Sequence, residues 1–268
     1  MPAEAMKAES ITSSKNPLLK EIRRAIARGE LTESGCMVAE TFHLLEEAIR
    51  SNRPIQAVVV AASVRSAVDN HVRGLRGVRT TVVPDAVFRE VAATETSQGV
   101  ITLVQAPEWR LDQLFRGRSM LVVLDGVQDP GNAGAIIRAA EAFGATGAMF
   151  LKGTVNPANP KALRASAGSL FRLPHMAGLD HDLVRAALEQ NRLDVYAADP
   201  RGKHALGECD LKRSFALLIG SEAHGVSAKL SSEALTLRIP TVGVESLNAA
   251  MAAGVVLYEA SRQRTVRR

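Results

Sequence analysis

Short apolar runs alternate with amphipathic segments along the chain, and this alternation predicts an α/β protein. No ordered structure is expected before Asn16-Pro17, a pair that favours a helix start with proline in the first turn. In the first part of the chain, strands are predicted over residues 36–39, 56–61, 80–83 and 100–105, and helices over residues 17–28, 42–50, 64–72 and 85–92, the last capped by Asp85.

The alternation begins again after residues 106–109, which are typical of a linker, and its elements become longer. Two domains are therefore predicted, residues 1–106 and residues 107–268. In the second domain, strands are predicted over residues 120–124, 147–151, 194–198, 215–219 and 237–239, and helices over residues 133–143, 161–168, 181–190 and 248–262.

Composition places the chain among globular proteins, with 46% hydrophobic and 23% charged residues. No apolar run approaches the roughly 20 residues that span a bilayer, and the start of the chain, with Glu4, Lys7 and Glu9, lacks a signal-peptide core. We therefore expect a cytoplasmic protein without a membrane partner. The two cysteines, Cys36 and Cys209, lack metal-ligand spacing, so neither a metal site nor a disulfide is expected, and both are predicted to be packed as hydrophobes.

The net charge of +5 suits a polyanionic partner, although charge alone is weak support. Basic residues crowd both ends of the chain and are candidate contacts for such a partner. The alternative interpretation is that they belong to a solvated helix face at the start and to a frayed tail at the end. Two Tyr and one Trp give no sign of an aromatic platform for stacking bases. The basic residues in question are Lys15, Lys20, Arg23, Arg24 and Arg28 near the start, and Arg262, Arg264, Arg267 and Arg268 at the end.

Three polar segments each follow an apolar strand in the second domain, where open α/β sheets place ligands. The first, Asp129-Pro-Gly-Asn132, precedes a helix that contains Arg138. Asn132 is predicted to cap that helix, and a purely structural interpretation would leave Arg138 on the surface. The dinucleotide pattern G-x-G-x-x-G is absent here, which disfavours a nicotinamide-dependent oxidoreductase.

The second and third segments are Gly220-Ser-Glu222-Ala-His-Gly225 and Ser246-Leu-Asn248. The glycines of the second segment let the backbone approach a flat ligand closely. Glu222 near a helix start and Ser246 as a cap have ordinary structural explanations. The last helix begins with small residues, A-A-M-A-A-G, which permit either tight internal packing or a subunit interface.

Together these segments resemble the three signature motifs of the SpoU (TrmH) family of RNA 2′-O-ribose methyltransferases. The resemblance extends from residue 121 to residue 264 and includes residues 159–174. The first domain resembles the L30e-like substrate-binding domain of the family, at Lys15-Asn16-Pro17 and at residues 94–99. One departure lies at residues 38–44, V-A-E-T-F-H-L, where that domain commonly has V-E-G-x-x-L.

This resemblance implies a fold, a cofactor and a set of site residues. The fold would be an α/β trefoil-knot (SPOUT) methyltransferase domain behind a small L30e-like α/β domain, and the protein would be a homodimer in which Arg138 reaches the partner's site. S-adenosylmethionine would bind near Ala198, Gly220, Ile239 and Leu247, and the catalytic site would be formed by Asn132, Arg138, Glu222, Ser246 and Asn248. RNA would be contacted by Lys15, Arg23, Arg24, Arg164 and Ser166. For Arg164 and Ser166, a purely structural role is the alternative interpretation. We interpret Arg138 as binding an RNA phosphate that accepts the proton, because a guanidinium is a poor base.

The favoured function is thus S-adenosylmethionine-dependent 2′-O-methylation of ribosomal RNA, as a housekeeping or an antibiotic-resistance enzyme. A tRNA substrate is one alternative. A catalytically inactive RNA-binding or ribosome assembly factor is another, although such a protein should have lost some of the five catalytic residues.

Overall fold

The computed structural model describes residues 9–73, 77–94 and 96–265. Several residues used in the sequence analysis lie outside this range: Glu4, Lys7, Glu95, Arg267 and Arg268. Contacts divide the chain into two compact units, one formed by residues 1–107 with 158–171 and the other by residues 108–157 with 172–268. Residues 158–171, which were predicted to belong to the second domain, thus pack with the first unit.

The strands match the predicted apolar runs closely, with exact bounds at Val100–Gln105, Gly147–Leu151 and Asp194–Ala198. Three strands were not predicted, since two contain only two residues and the third is half exposed. In chain order the strands are β1 (Glu9–Ser10), β2 (Cys36–Glu40), β3 (Ile55–Ala61), β4 (Arg79–Val83), β5 (Val100–Gln105), β6 (Met120–Asp125), β7 (Gly147–Leu151), β8 (His175–Leu179), β9 (Asp194–Ala198), β10 (His204–Ala205), β11 (Phe215–Gly220) and β12 (Leu235–Arg238).

The predicted helices are all present, with bounds that shift by a few residues. A short helix after the second polar segment was not predicted. In chain order the helices are α1 (Pro17–Arg28), α2 (Phe42–Arg50), α3 (Arg65–Val72), α4 (Asp85–Arg89), α5 (Pro130–Ala142), α6 (Pro160–Ala165), α7 (His181–Gln190), α8 (Ala228–Ser231) and α9 (Ala249–Thr265).

The first unit contains a five-stranded mixed sheet in the order β1-β4-β3-β5-β2. The start of α1 is as predicted: Asn16 Oδ1 accepts a hydrogen bond from Leu18 N at 2.9 Å, and Gly29 ends the helix with φ of 66°. The prediction for α4 was wrong in two respects, because the helix stops at Arg89 and its cap is Pro84. Asp85 is the first helical residue, and its carboxylate accepts a hydrogen bond from the Ser63 hydroxyl instead of capping the helix.

The second unit contains a seven-stranded sheet in the order β10-β12-β9-β11-β6-β7-β8, and its strand pairs are parallel throughout. The strand β11 lies between β6 and β9, so neighbours in this sheet are far apart in sequence. Because all the strands run the same way, the loops that follow β6, β9, β11 and β12 emerge at one edge. The fold therefore gathers all three polar segments on that edge.

The apolar runs that predicted the central strands are buried in the structure. The runs at β6 and β11 are buried almost throughout, as expected for central parallel strands. Both cysteines are free and buried, which confirms that they pack as hydrophobes, and burial raises the pKa of each thiol. Within the described ranges, no helix is both long and apolar enough to cross a membrane.

Candidate active site

A cavity of about 670 Å³ lies at the carboxyl edge of the second sheet. Small-molecule sites commonly have volumes of about 300–1,000 Å³. The cavity is formed by the loops after β9, β11 and β12, together with the start of α9. The residues predicted to bind a cofactor all line it: Ala198, Gly220, Ile239 and Leu247.

The loop between β6 and α5 differs from the prediction in its capping residue. Asp129, not Asn132, caps α5, because its Oδ1 accepts a hydrogen bond from Asn132 N at 2.7 Å and Pro130 begins the helix. Asn132 is thereby placed in the first turn of α5. Its side-chain amide is not used for capping and can make contacts elsewhere.

Asn132 links the three polar segments by hydrogen bonds. Its Nδ2 donates to Glu222 Oε1 at 2.5 Å, and its Oδ1 accepts from Asn248 Nδ2 at 2.9 Å. Glu222 and Asn248 both line the cavity. Three predicted site residues thus form one hydrogen-bonded chain, which we call the Asn132 chain.

Asn248 also begins the last helix. Its Oδ1 accepts hydrogen bonds from the N–H groups of Ala250 (2.9 Å) and Met251 (3.3 Å). Capping by Ser246, the structural explanation offered for that residue, is therefore wrong. Ser246 is exposed and lines the cavity, and none of the described residues hydrogen-bonds to its side chain.

Glu222 lies in a tight turn rather than at a helix start, so the helix-dipole explanation for its position is also wrong. The turn is closed by two hydrogen bonds between Ser221 and Gly225, of 3.2 and 2.8 Å. Gly220 is required just before it, since a Cβ there would lie 1.9 Å from the carbonyl carbon of Gly225. The glycines thus let the backbone fold back on itself and hold Glu222 beside Asn132.

Asp125, at the end of β6, supports this turn, although it was not among the predicted site residues. The residue is 6% exposed, and its Oδ2 accepts a hydrogen bond from Ser227 N at 2.8 Å. Its Oδ1 lies 3.1 Å from Nε2 of His181, the first residue of α7. A buried carboxylate therefore holds the loop after β11 against the strand that leads to Asn132.

The loop after β9 forms another wall of the cavity. Gly202 packs on β12 so closely that a Cβ would lie 2.8–2.9 Å from backbone atoms of residues 236–238. Arg238 Nη1 donates to the carbonyl groups of Gly202 and Lys203, each at 2.9 Å. These contacts fix the loop, whose residues Asp199 and Arg201 face the cavity.

Arg138 is not part of the Asn132 chain. It is exposed on α5, and in the described part of the chain nothing forms a hydrogen bond or an ion pair with its guanidinium. The helix that carries it packs against α9, where Ala139 faces Gly254. The protomer alone therefore leaves this arginine available for another molecule.

The predicted RNA contacts lie in the first unit, and their surroundings differ. Lys15 and Arg24 are exposed, although Arg24 pairs with Glu33, while Arg23 donates to the carbonyl of Ser14 at 2.7 Å. The remaining two are held more tightly. Arg164 Nη1 donates at 3.3 Å to the fully buried Glu40, and Ser166 is buried with its hydroxyl on the Leu163 carbonyl at 2.8 Å.

Ser166 as placed offers no surface to RNA, so the structure argues against its predicted role. A purely structural role, the alternative interpretation, fits both Arg164 and Ser166 better.

Glu40, the partner of Arg164, also accepts hydrogen bonds from Ala93 N and from the Thr94 hydroxyl. The loop over residues 93–94 and the segment that contains α6 therefore share one carboxylate. Among the described residues, no cluster of His, Cys, Asp and Glu could hold a metal ion.

Comparison with known proteins places the two regions in recognised families. The family model described as the SpoU rRNA Methylase family matches residues 119–258, and that of the MRM3-like substrate binding domain matches residues 16–102. Among curated proteins, the chain is 31% identical to the 23S rRNA (guanosine(2553)-2'-O)-methyltransferase RlmP of Bacillus subtilis, over 93% of this chain and 98% of that protein. It is 33% identical to an uncharacterized tRNA/rRNA methyltransferase of Synechocystis, over 95% and 94% of the two chains.

Solved structures of related methyltransferases match nearly the whole chain. The SpoU methyltransferase AviRb from Streptomyces viridochromogenes, in complex with AdoMet, matches with a TM-score of 0.85 and 27% identity over 95% of this chain and all of that one. An AdoMet-bound rRNA methyltransferase from Sinorhizobium meliloti matches with a TM-score of 0.81 and 30% identity over 95% and 98% of the chains. These matches confirm the fold class predicted from the sequence.

Proposed function

The chain belongs to the SpoU rRNA methylase family, and we propose that it methylates the 2′-oxygen of a ribose in ribosomal RNA, with S-adenosylmethionine as the methyl donor. The observation that carries this proposal is the Asn132 chain, which joins all three family segments at the edge of a cavity of about 670 Å³. Relatives named as 23S rRNA 2′-O-methyltransferases favour ribosomal RNA as the substrate.

The residues of the cavity fit S-adenosylmethionine. Its lining includes Ala198, Gly220, Ile239 and Leu247, the four residues predicted to bind the cofactor. The carboxylates of Asp199, Glu222 and Glu245 face a ligand whose sulfonium is positive. When bound, S-adenosylmethionine supplies an electrophilic methyl group to the ribose hydroxyl.

The Asn132 chain is suited to orienting that hydroxyl. Asn132 uses one donor and one acceptor on Glu222 and Asn248, which leaves its second amide hydrogen and a second lone pair on its oxygen for the substrate. Because both neighbours fix its side chain, little conformational entropy is lost when the ribose binds. Glu222, Ser246 and Asn248 complete the set of polar groups at this edge.

Arg138 has a different role in this proposal. Its guanidinium stays protonated, so it cannot remove the proton of the 2′-hydroxyl. We assign it to an RNA phosphate beside the target ribose, which it holds in place and which accepts the proton. Its exposure and lack of partners within the described protomer support this assignment.

We further propose that the protein acts as a homodimer. Met251, Val255 and Tyr258 form an exposed apolar stripe on α9, with 60%, 38% and 57% of their surfaces accessible. Their i, i+4, i+7 spacing puts them on one helix face, and a large exposed apolar face on a protein commonly marks an interface. In such a dimer, Arg138 on the adjacent helix α5 would serve the partner's site.

The first region, residues 1–106, is proposed to bind the RNA through Lys15, Arg23 and Arg24, and residues 107–268 to carry out the reaction. Arg164 is assigned to holding the segment that contains α6, through Glu40. A ribosomal substrate would place the protein in the cytoplasm.

The proposal is tested by incubating the purified protein with radiolabelled S-adenosylmethionine and separate unmodified substrates: 16S rRNA, 23S rRNA, assembled ribosomal subunits and tRNA. Label in one rRNA or its subunit is the expected result. Label only in tRNA would identify tRNA as the substrate instead. Binding of RNA without methyl transfer to any of the substrates would favour an inactive assembly factor.

A further inference from the structure

We infer that Asp199 and Arg201 bind the charged amino-acid end of the cofactor, with Arg201 on its carboxylate and Asp199 on its ammonium group; the inference rests on the proposed function. Within the described lining of the cavity, Arg201 is the one arginine or lysine. The cofactor in turn has a single anionic group, its α-carboxylate. The one arginine of the described lining is therefore the natural partner of the one carboxylate of the cofactor.

The Arg201 guanidinium is available for this contact. The residue is exposed at the cavity, and the described residues give its guanidinium neither a hydrogen bond nor an ion pair. Arg238, by contrast, lies nearby and directs its guanidinium at the carbonyls of Gly202 and Lys203. One arginine holds the loop in place, and the other extends from it.

The loop that carries Arg201 is rigid, as a binding site requires. Asp199 N donates to Leu237 O at 2.9 Å, Gly202 N donates to Asp199 O at 2.9 Å, and Arg201 N donates to Asp199 Oδ1 at 2.8 Å. Binding to a loop that is already ordered costs less conformational entropy.

Asp199 contributes the second charge. Its Oδ1 is used inside the loop, where it accepts from Arg201 N, while Oδ2 has no hydrogen-bond partner among the described residues. A carboxylate oxygen and a guanidinium two residues apart match the adjacent ammonium and carboxylate groups of an amino acid. Charge-assisted hydrogen bonds of this kind are about twice as strong as neutral ones.

The order of strands gives the loop its place in the site. Asn132 follows β6, Glu222 follows β11, and Arg201 follows β9, on the far side of β11 from β6. The charged end of the cofactor would thus lie across the cavity from the residue that orients the ribose. This arrangement keeps a cation away from the sulfonium and leaves the Asn132 side open to RNA.

The test compares two ligands in calorimetric titrations of the intact protein. S-adenosylhomocysteine carries the amino-acid end, whereas 5′-methylthioadenosine lacks it. For Arg201→Gln and Asp199→Asn, we expect Kd for S-adenosylhomocysteine to rise about tenfold while Kd for 5′-methylthioadenosine stays within about twofold. Arg201→Lys should keep most of the affinity, and Lys203→Gln, which removes a charge outside the cavity, should change neither Kd.

The other outcomes overturn the inference in distinguishable ways. Equal weakening of both ligands would mean that the substitution deforms the loop. Unchanged Kd for both ligands with a raised KM for RNA would assign Arg201 to an RNA phosphate. If the unmodified protein bound neither ligand, the proposed function itself would fail.

Discussion

Asn132 and Glu222 are 90 residues apart in the chain, yet Asn132 Nδ2 donates a hydrogen bond to Glu222 Oε1 at 2.5 Å. The loops that carry them follow β6 and β11, which pair directly in the sheet. Asn248 joins the same chain of hydrogen bonds from the loop after β12. The polar groups of the site are therefore preassembled in the protomer and need no ligand to bring them together.

Replacing Asn132 with Ala is expected to lower kcat about 100-fold, because the ribose would lose its oriented partner. The cofactor walls are formed by other residues, so Kd for S-adenosylmethionine should change by less than about threefold. Single-turnover rates and calorimetry separate the two quantities. Asn191→Ala is the matched control, since that side chain, just after the end of α7, donates its hydrogen bond to Ala187 O. Wild-type turnover by Asn132→Ala would remove this residue from the site.

Arg138→Ala is expected to abolish methyl transfer and to spare cofactor affinity, because Arg138 is assigned to RNA and lies outside the cavity lining. Mixing tests whether it acts on the partner's site. Dimers reassociated from equal amounts of Arg138→Ala and Asn132→Ala should recover about a quarter of wild-type activity, since half the dimers are mixed and each has one intact site. No recovery, with mixed dimers shown to form, would mean that Arg138 serves its own protomer.

The apolar stripe on α9 predicts a change in oligomeric state. Wild type is expected to sediment as the proposed dimer. Tyr258→Glu, or Met251→Glu, places a charge in the proposed interface and should shift the protein to a monomer in sedimentation velocity. Leu183→Glu is the control, because Leu183 is 49% exposed on a different helix, α7. A Tyr258→Glu protein that stays dimeric would exclude this face as the interface.

Asp125 is expected to matter more than its partner His181. In Asp125→Ala, the Ser227 N–H loses its acceptor, which should cost about 1–3 kcal/mol of unfolding free energy and lower kcat because the Glu222 turn loses its support. His181→Ala leaves that bond intact and should cost less. Urea unfolding and turnover, measured for both variants, show which substitution causes the larger loss. Equal losses would show that the histidine contact, rather than the Ser227 bond, carries the effect.

The end of α9 predicts a dependence of stability on pH. Glu259 accepts hydrogen bonds from Arg262 at 2.7 and 2.8 Å, and this contact lowers the pKa of Glu259 to about 2. Because the folded pKa lies below the unfolded value of about 4.3, the stabilisation is present above that value and is lost as the pH falls toward 2. The difference in unfolding free energy between wild type and Glu259→Gln should therefore shrink from about pH 5 down to about pH 3.

Glu233→Gln is the control for this titration, since Glu233 is exposed and has no hydrogen bond or ion pair with any described residue. The same measurement on this variant shows what the loss of an unpaired surface carboxylate does by itself. A Glu259→Gln difference that stays constant from about pH 5 to about pH 3 would mean that the Arg262 contact does not persist in solution.

The buried strands were predictable because each is a continuous apolar run between polar turns. Gly147–Leu151 and Val100–Gln105 have the expected bounds for this reason. The strand His175–Leu179 escaped prediction because it combines a histidine with Gly178 and is half exposed at the edge of the sheet. An edge strand has little need of an apolar pattern, so the sequence carries little signal for it.

The capping errors have a different cause. Asp129 and Asn132 are both good caps, and the signal that separates them is Pro130, which favours the first helical position after Asp129. Ser246 and Asn248 present the same ambiguity, resolved only by where the helix begins. Asn132, the candidate cap of α5, hydrogen-bonds to Glu222 and Asn248 instead, whereas the Ser246 side chain has no hydrogen bond with any described residue.

Contacts between distant loops could not be predicted from the sequence. The Asn132–Glu222 bond depends on β11 lying next to β6, an order that no local pattern encodes. The position of Arg201 depends on Gly202 packing against β12, and the role of Asp125 depends on a backbone N–H 102 residues away. Only the family motifs, taken together, pointed to loops that the fold then brought to one edge.

The most direct test of the account is the chemical position of the transferred methyl group. The protein, S-adenosylmethionine with a labelled methyl group, and the RNA that it modifies are incubated together; the RNA is then digested to nucleosides and analysed by mass spectrometry, with Asn132→Ala in parallel. The account predicts a labelled nucleoside whose methyl group is lost with the ribose on fragmentation, and little or no such product from Asn132→Ala. A methyl group that stays with the base would contradict it.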